Sequence, residues 1–150
     1  MQMAEPIRII TRALFLRDDR VLIARFEERP YSFLPGGEIN PGESATVALT
    51  REMREELGIE CTIGRIVSVI EHAFEENDRR QQEINLVFET RAEHMTYPER
   101  PASRESDLSF VWQSVGELDE VNLKPWPMQT IIREYMSGKP VTPWMTTMES

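Results

Sequence analysis

Three glutamates, Glu52, Glu55 and Glu56, sit close together in a segment whose apolar residues repeat at helical spacing. Placed around a helix axis at about 100° per residue, Ala45, Ala48, Leu49, Met53 and Leu57 form one apolar stripe. Glu52 and Glu56 fall inside that stripe and Glu55 lies on its edge. A lone carboxylate on a core-facing position costs several kcal/mol unless it is paired, protonated or coordinated. Glu52 and Glu56 are also one helical turn apart, where like charges repel by a few tenths of a kcal/mol. A bound cation reverses both penalties. Arg51 can pair with Glu55 at i,i+4, leaving the other carboxylates to a metal. With no His or Cys nearby the donors are oxygens alone, which suits Mg2+ or Mn2+ and not zinc. The competing reading is a solvated, salt-bridged helix face, which describes most charge runs of this kind.

The segment before the helix shifts that balance. Leu34-Pro35-Gly36-Gly37 and Pro41-Gly42 make a compact turn leading into the acids, and a loop close to a metal or phosphate favours residues without a Cβ. Taken as plain turn glycines, Gly37 and Gly42 serve equally well, and the two readings do not conflict. Residues 37 to 59 fit the pattern G-x5-E-x7-R-E-U-x-E-E-x-G-U, with U aliphatic, through Gly37, Glu43, Arg51, Glu52, Met53, Glu55, Glu56, Gly58 and Ile59. The segment thereby resembles the Nudix box, with every specified position matched.

The resemblance implies a Nudix fold of the α/β (α+β) class, a mixed β-sheet sandwiched between helices, and a hydrolase that cuts a phosphoanhydride bond with Mg2+ or Mn2+. It implies Glu52, Glu55 and Glu56 as metal ligands, joined by a backbone carbonyl near Gly36 or Gly37. Glu43 and Arg51 would orient the ligand carboxylates through a charge-assisted contact. Hydrolysis of a diphosphate needs its charge screened, a water activated, and attacking and leaving oxygens roughly in line. Glu56 and Glu52 are the first choices for general base. Among acids outside the box, Glu83 precedes an apolar strand and could point back at the metals, with Glu105 and Asp107 as weaker candidates. His72, at a strand end, is a candidate substrate contact, although such a histidine is more often structural. Tyr31, Phe33, Phe74, Tyr97 and Trp126 are the aromatic residues available to a nucleobase, and in a small protein most aromatics are core.

Substrate identity is less legible. Glu75 stands sixteen residues past Ile59, where a proline would point to an ADP-ribose pyrophosphatase, and no tyrosine near that spacing suggests a dinucleoside polyphosphate hydrolase. A nucleoside diphosphate linked to another group is the general expectation, with triphosphates and nucleotide sugars both open. A catalytically silent Nudix domain that binds nucleotide or protein is the alternative, opposed by the intact carboxylate set. An acidic interaction module would leave the Gly-Gly loop and the core-facing acids unexplained.

Elements must position these groups. Ile7 to Leu16 and Val21 to Phe26, separated by Asp18-Asp19, read as a β-hairpin. A polar loop from Glu27 to Pro35 follows, then a helix over 44–57 with Ser44 as N-cap, no capping box, and Gly58 at the C-terminal cap. Ile63 to Ile70 and Ile84 to Glu89 read as strands joined through the charged segment Glu75 to Gln82, and Leu108 to Gln113 as another. Trp126 to Met136 has the apolar spacing of an amphipathic helix. One domain over 1–137 and a weakly ordered tail over 138–150 are expected.

Composition narrows the function classes. A chain of 150 residues fits one domain. A net charge of -9 and a pI near 4.8, with no Lys/Arg cluster, disfavour a nucleic-acid partner. A small phosphorylated substrate stays allowed, because a cation on the carboxylates reverses the local field. Cys61 is the single cysteine, so no internal disulfide or thiolate zinc site forms. The N-terminal residues lack a basic n-region and no apolar stretch reaches about 20 residues. A cytoplasmic protein with no membrane partner is expected, and homodimerisation is left open.

Overall fold

Runs of β-branched and apolar residues in this chain form strands of two different sheets, and the sheet change decides where the acids end up. The computed structural model describes residues 5–148. Strands β1 (Arg8–Leu14), β2 (Leu16–Arg17), β3 (Arg20–Phe26) and β4 (Gly36–Glu38) precede helix α1 (Ala45–Leu57). Then come β5 (Thr62–Glu76), β6 (Arg79–Arg91), β7 (Leu108–Ser114), 3-10 turns over Val115–Val121, helix α2 (Pro127–Met136) and β8 (Trp144–Thr146). A mixed sheet has the order β4-β1-β6-β5-β8, and a smaller antiparallel sheet the order β2-β3-β7.

The first expected hairpin is corrected. β1 pairs with β4 on one side and, in parallel, with β6 on the other, whereas β3 pairs with β7. Only Leu16–Arg17 folds back on Arg20–Val21. The chain passes from one sheet to the other after β1, where Ala13 and Leu14 on opposite faces bury into the two different cores. A second correction concerns residues 75–82. They are strand rather than linker: β5 and β6 run on to a two-residue turn at Asn77-Asp78, whose φ values of 54° and 61° suit a tight hairpin. The tail is corrected too. Trp144–Thr146 pairs with Val69–Glu71 as an edge strand, through backbone bonds that the residue-by-residue pattern of 138–150 does not signal. Residues 149 and 150 of that expected tail lie outside the described residues.

Two apolar cores lie on either side of the strands. Leu49, Met53 and Leu57 of α1 pack with Ala13, Leu22, Ala24, Phe88 and Phe110. Met128, Ile131 and Ile132 of α2 pack with Leu14, Val21, Ile23, Ile70 and Val87. Successive residues of β3 therefore serve opposite cores, as a period of two requires. The strands are sandwiched between helices, in the mixed α+β arrangement expected. Among the described residues no helix is long and apolar enough to cross a membrane.

Candidate active site

Helix α1 starts and stops where its sequence directs. The Ser44 side chain accepts from the Val47 amide, and Gly58 takes the left-handed conformation at φ 66°. With Leu49 and Met53 fully buried, the helix cannot rotate, so Glu56 is carried inward to 4% exposure. Its Oε2 is buried and has no hydrogen-bond partner. Glu52, one turn earlier, lies against the loop: a Cβ on Gly37 would stand 2.3 Å from the Glu52 carboxylate carbon. Gly36 is as constrained, since at φ 154° its Cβ would meet the Thr11 carbonyl oxygen 1.9 Å away.

Arg51 organises this end. Its Nε donates to Glu43 Oε2 at 2.7 Å and its Nη2 to Glu43 Oε1 at 2.9 Å. Its Nη1 donates to Glu52 Oε1 at 2.9 Å. The expected Arg51–Glu55 contact exists but is longer, at 3.4 Å. The Arg51 fork holds the Glu43 carboxyl down at about 2, helped by the Asn40 amide. Glu56 moves the other way. Burial first, then the neighbouring Glu52 carboxylate, push it up to about 9.

Glu52 and Glu56 open into a cavity of about 660 Å³. One face of the large sheet forms its floor: Arg8, Ile10 and Arg12 of β1 alternate with residues turned away, and the parallel register sets Arg8 opposite Glu83 and Ile10 opposite Asn85. On the next strand His72 stands opposite Glu83. Glu83 is therefore inside β6 and His72 inside β5, not at strand ends as expected. Both line the cavity together with Gly36, Gly37, Glu52, Glu56 and Glu105. Glu55 is not among the lining residues, and its half-exposed carboxylate faces Arg51. Nor is Asp107, whose carbonyl caps the Glu27 amide.

His72 Nδ1 meets Thr147 Oγ1 at 2.9 Å and its ring stacks on Phe74, 5.0 Å between centroids. Burial lowers its pKa, against the pull of Glu83. Glu105 is raised by burial and by Glu52. Of the aromatic candidates, Tyr31, Phe33, Phe74 and Trp126 line the cavity. Tyr97 is elsewhere: its hydroxyl donates to Asp18 Oδ2 at 2.7 Å and its ring packs on Trp112. Arg12, which lines the cavity, and Asn85, fully buried and bonded to it, lie outside every motif of the sequence. The available signal was a polar residue interrupting each of two apolar strand runs.

The donor set suits a hard divalent cation. A buried carboxylate oxygen without a partner, a second carboxylate one turn away and carbonyls in a Cβ-free loop are all oxygen ligands. Among the described residues no three His, Cys, Asp or Glu side chains already converge on one point, so Glu52 and Glu56 form a two-carboxylate nucleus rather than a finished cage.

Comparison with known proteins agrees with the geometry. The NUDIX domain family matches residues 7–135. An Escherichia coli CTP pyrophosphohydrolase is 39% identical over 66 residues, covering 39% of this chain and 47% of that protein. The matched part thus spans about half the length of that relative. The solution structure of the E. coli ORF135 protein superposes with a TM-score of 0.56 at 27% identity, covering 87% of this chain and 89% of that one. A UDP-X diphosphatase crystal structure has the same fold, with a TM-score of 0.67 at 17% identity over 96% of this chain and 69% of that one.

Proposed function

Because this chain belongs to the Nudix hydrolase family, we propose that it is a pyrophosphohydrolase cutting the phosphoanhydride bond of a nucleoside diphosphate linked to another group. The observation that carries the reading is Glu56 Oε2, buried without a partner beside a Glu52 carboxylate that Arg51 fixes in place. Such an arrangement is costly unless a cation completes it.

Glu52 and Glu56, with carbonyls of Gly36 or Gly37, would hold Mg2+ or Mn2+. When bound, the cation screens phosphate charge and acidifies water. Arg51 and Glu43 fix the Glu52 carboxylate, so its position does not depend on the ligand. Glu55 would join by leaving Arg51, which its exposure permits. Burial and the neighbouring Glu52 favour the protonated form of Glu56, and holding a cation would require it deprotonated. The acceptor of the proton from water is drawn from Glu52, Glu56 and Glu105, the carboxylates at this end of the cavity. His72 and Glu83 would face the more distant part of the substrate, and the aromatic rim favours a nucleobase. Nucleoside triphosphates and nucleotide sugars are both included, and a cytoplasmic setting matches these substrates.

The test is turnover of a panel that includes CTP, UDP-glucose and dinucleotides with Mg2+, reading released phosphate or mononucleotide, alongside Glu56→Gln. Turnover lost in Glu56→Gln is expected. No turnover of any panel member by the wild type, or full turnover in Glu56→Gln, overturns the reading.

A further inference from the structure

Arg12 is a cation built into the cavity floor with no carboxylate in direct contact among the described residues, Glu83 and Glu56 acting on it only at longer range. Its Nε donates to Asn85 Oδ1 at 3.0 Å and its Nη1 to the Leu34 carbonyl at 3.0 Å. Its guanidinium carbon lies 5.4 Å from the centroid of the Phe33 ring. Two nitrogens and one face of the group are thus occupied by neutral partners. Among the described residues no carboxylate pairs with it and no protein acceptor takes Nη2, while the side chain, only partly buried, lines the cavity. Glu83 is near but turned to Asn85, whose Nδ2 donates to Glu83 Oε1 at 3.2 Å. Asn85 is fully buried, so it holds both groups in one geometry.

A cation fixed by neutral partners and open on one side is prepared for an anion from outside. Its place says which anion. Arg12 stands directly opposite Gly36 across the β1–β4 pair, next to the loop where a Cβ has no room. We infer that Arg12 is a phosphate ligand of this cavity, taking a phosphoryl oxygen that the carboxylate-held cation leaves free, and that Asn85 is its positioning residue. The inference rests on the phosphoanhydride reading above, but it assigns a contact that needs no metal.

That independence provides the test. Binding of inorganic pyrophosphate is measured by isothermal titration calorimetry in EDTA at neutral pH, for the wild type, Arg12→Gln and Glu83→Gln, with melting curves as a check on folding. Arg12→Gln is expected to weaken binding roughly tenfold or more, the size of one lost charge-assisted hydrogen bond. Glu83→Gln keeps the Asn85 contact and removes a negative charge near Arg12, so binding should tighten several-fold if the anion sits at this end of the cavity, and unchanged or weaker binding overturns that placement. No pyrophosphate binding by the wild type, or unchanged binding in a folded Arg12→Gln, overturns the assignment. If Arg12→Gln does not fold, side-chain NMR of the wild-type arginines replaces it, and an Arg12 Nε–H signal unmoved by pyrophosphate overturns the assignment. Absence of turnover across the nucleotide panel with Arg12-dependent binding intact would sink the hydrolase reading alone. Turnover together with Arg12-independent binding would sink this inference alone.

Discussion

Arg51 grips Glu43 with two parallel hydrogen bonds, Nε to Oε2 at 2.7 Å and Nη2 to Oε1 at 2.9 Å, across a loop and the start of a helix. The remaining nitrogen of the same fork reaches Glu52. A planar guanidinium grips Glu43 with two parallel bonds while a third nitrogen reaches Glu52, a fork that a compact ammonium cannot reproduce. Arg51→Lys is therefore expected to lower kcat on any substrate of the panel by roughly 10- to 100-fold, with a much smaller change in melting temperature. Steady-state kinetics beside a melting curve checks both.

The same contact has a pH signature. Glu43 has a folded pKa near 2 against an ordinary 4.5, so the unfolded chain takes up its proton first as pH falls. Its stabilising contribution is present above about pH 4.5 and is lost as pH drops toward 2. Acid titration of stability should show this loss in the wild type and a shallower one in Glu43→Gln.

Glu56 runs in the opposite sense. Its folded pKa of about 9 exceeds the ordinary 4.5, so between those values the folded state binds the extra proton. Metal-free stability should then fall as pH rises through that window, the reverse of the usual carboxylate pattern. Glu56→Gln should flatten the slope and raise the metal-free melting temperature at the alkaline end. Mg2+ should raise it in the wild type and not in the variant. Calorimetry in EDTA and in Mg2+ across this range distinguishes these outcomes.

Gly37→Ala places a methyl 2.3 Å from the Glu52 carboxylate carbon. Either the carboxylate or the loop must move, and a displacement near 1 Å at such a position costs about 100-fold in rate. The expected result is that loss in kcat with the fold retained, read by kinetics and circular dichroism.

Met53 is fully buried on the face of α1 that sets the helix rotation. Met53→Ala should cost about 2–5 kcal/mol in urea unfolding. A smaller cost would mean that α1 is held in place by its polar contacts.

The acids of α1 are readable in the sequence because helix periodicity is local: Glu56 lies on the same buried face as its helical neighbours Met53 and Leu57. Ser44 and Gly58 marked the helix ends for the same reason. Glu83 and His72 were picked out as chemistry-bearing but put at strand ends, since their facing across β5 and β6 depends on a register that only the Asn77-Asp78 turn sets. Arg12 carries no signal of its own in the sequence, because its meaning comes from Asn85 and Leu34, both distant in the chain. The strand Trp144–Thr146, with Thr147 beside His72, is legible only once β5 is there to receive it.

The parallel pairing of β1 with β6, which sets Arg8 opposite Glu83, also orders events in time. During synthesis α1 and all its glutamates emerge well before β6, so the acids exist for a while without a floor beneath them. Contacts of such long sequence separation form late and slowly, after the entropy of closing the intervening chain has been met. The acids of α1 are thus placed by local contacts and their enclosure by remote ones, so the cavity is expected to be the later of the two to form.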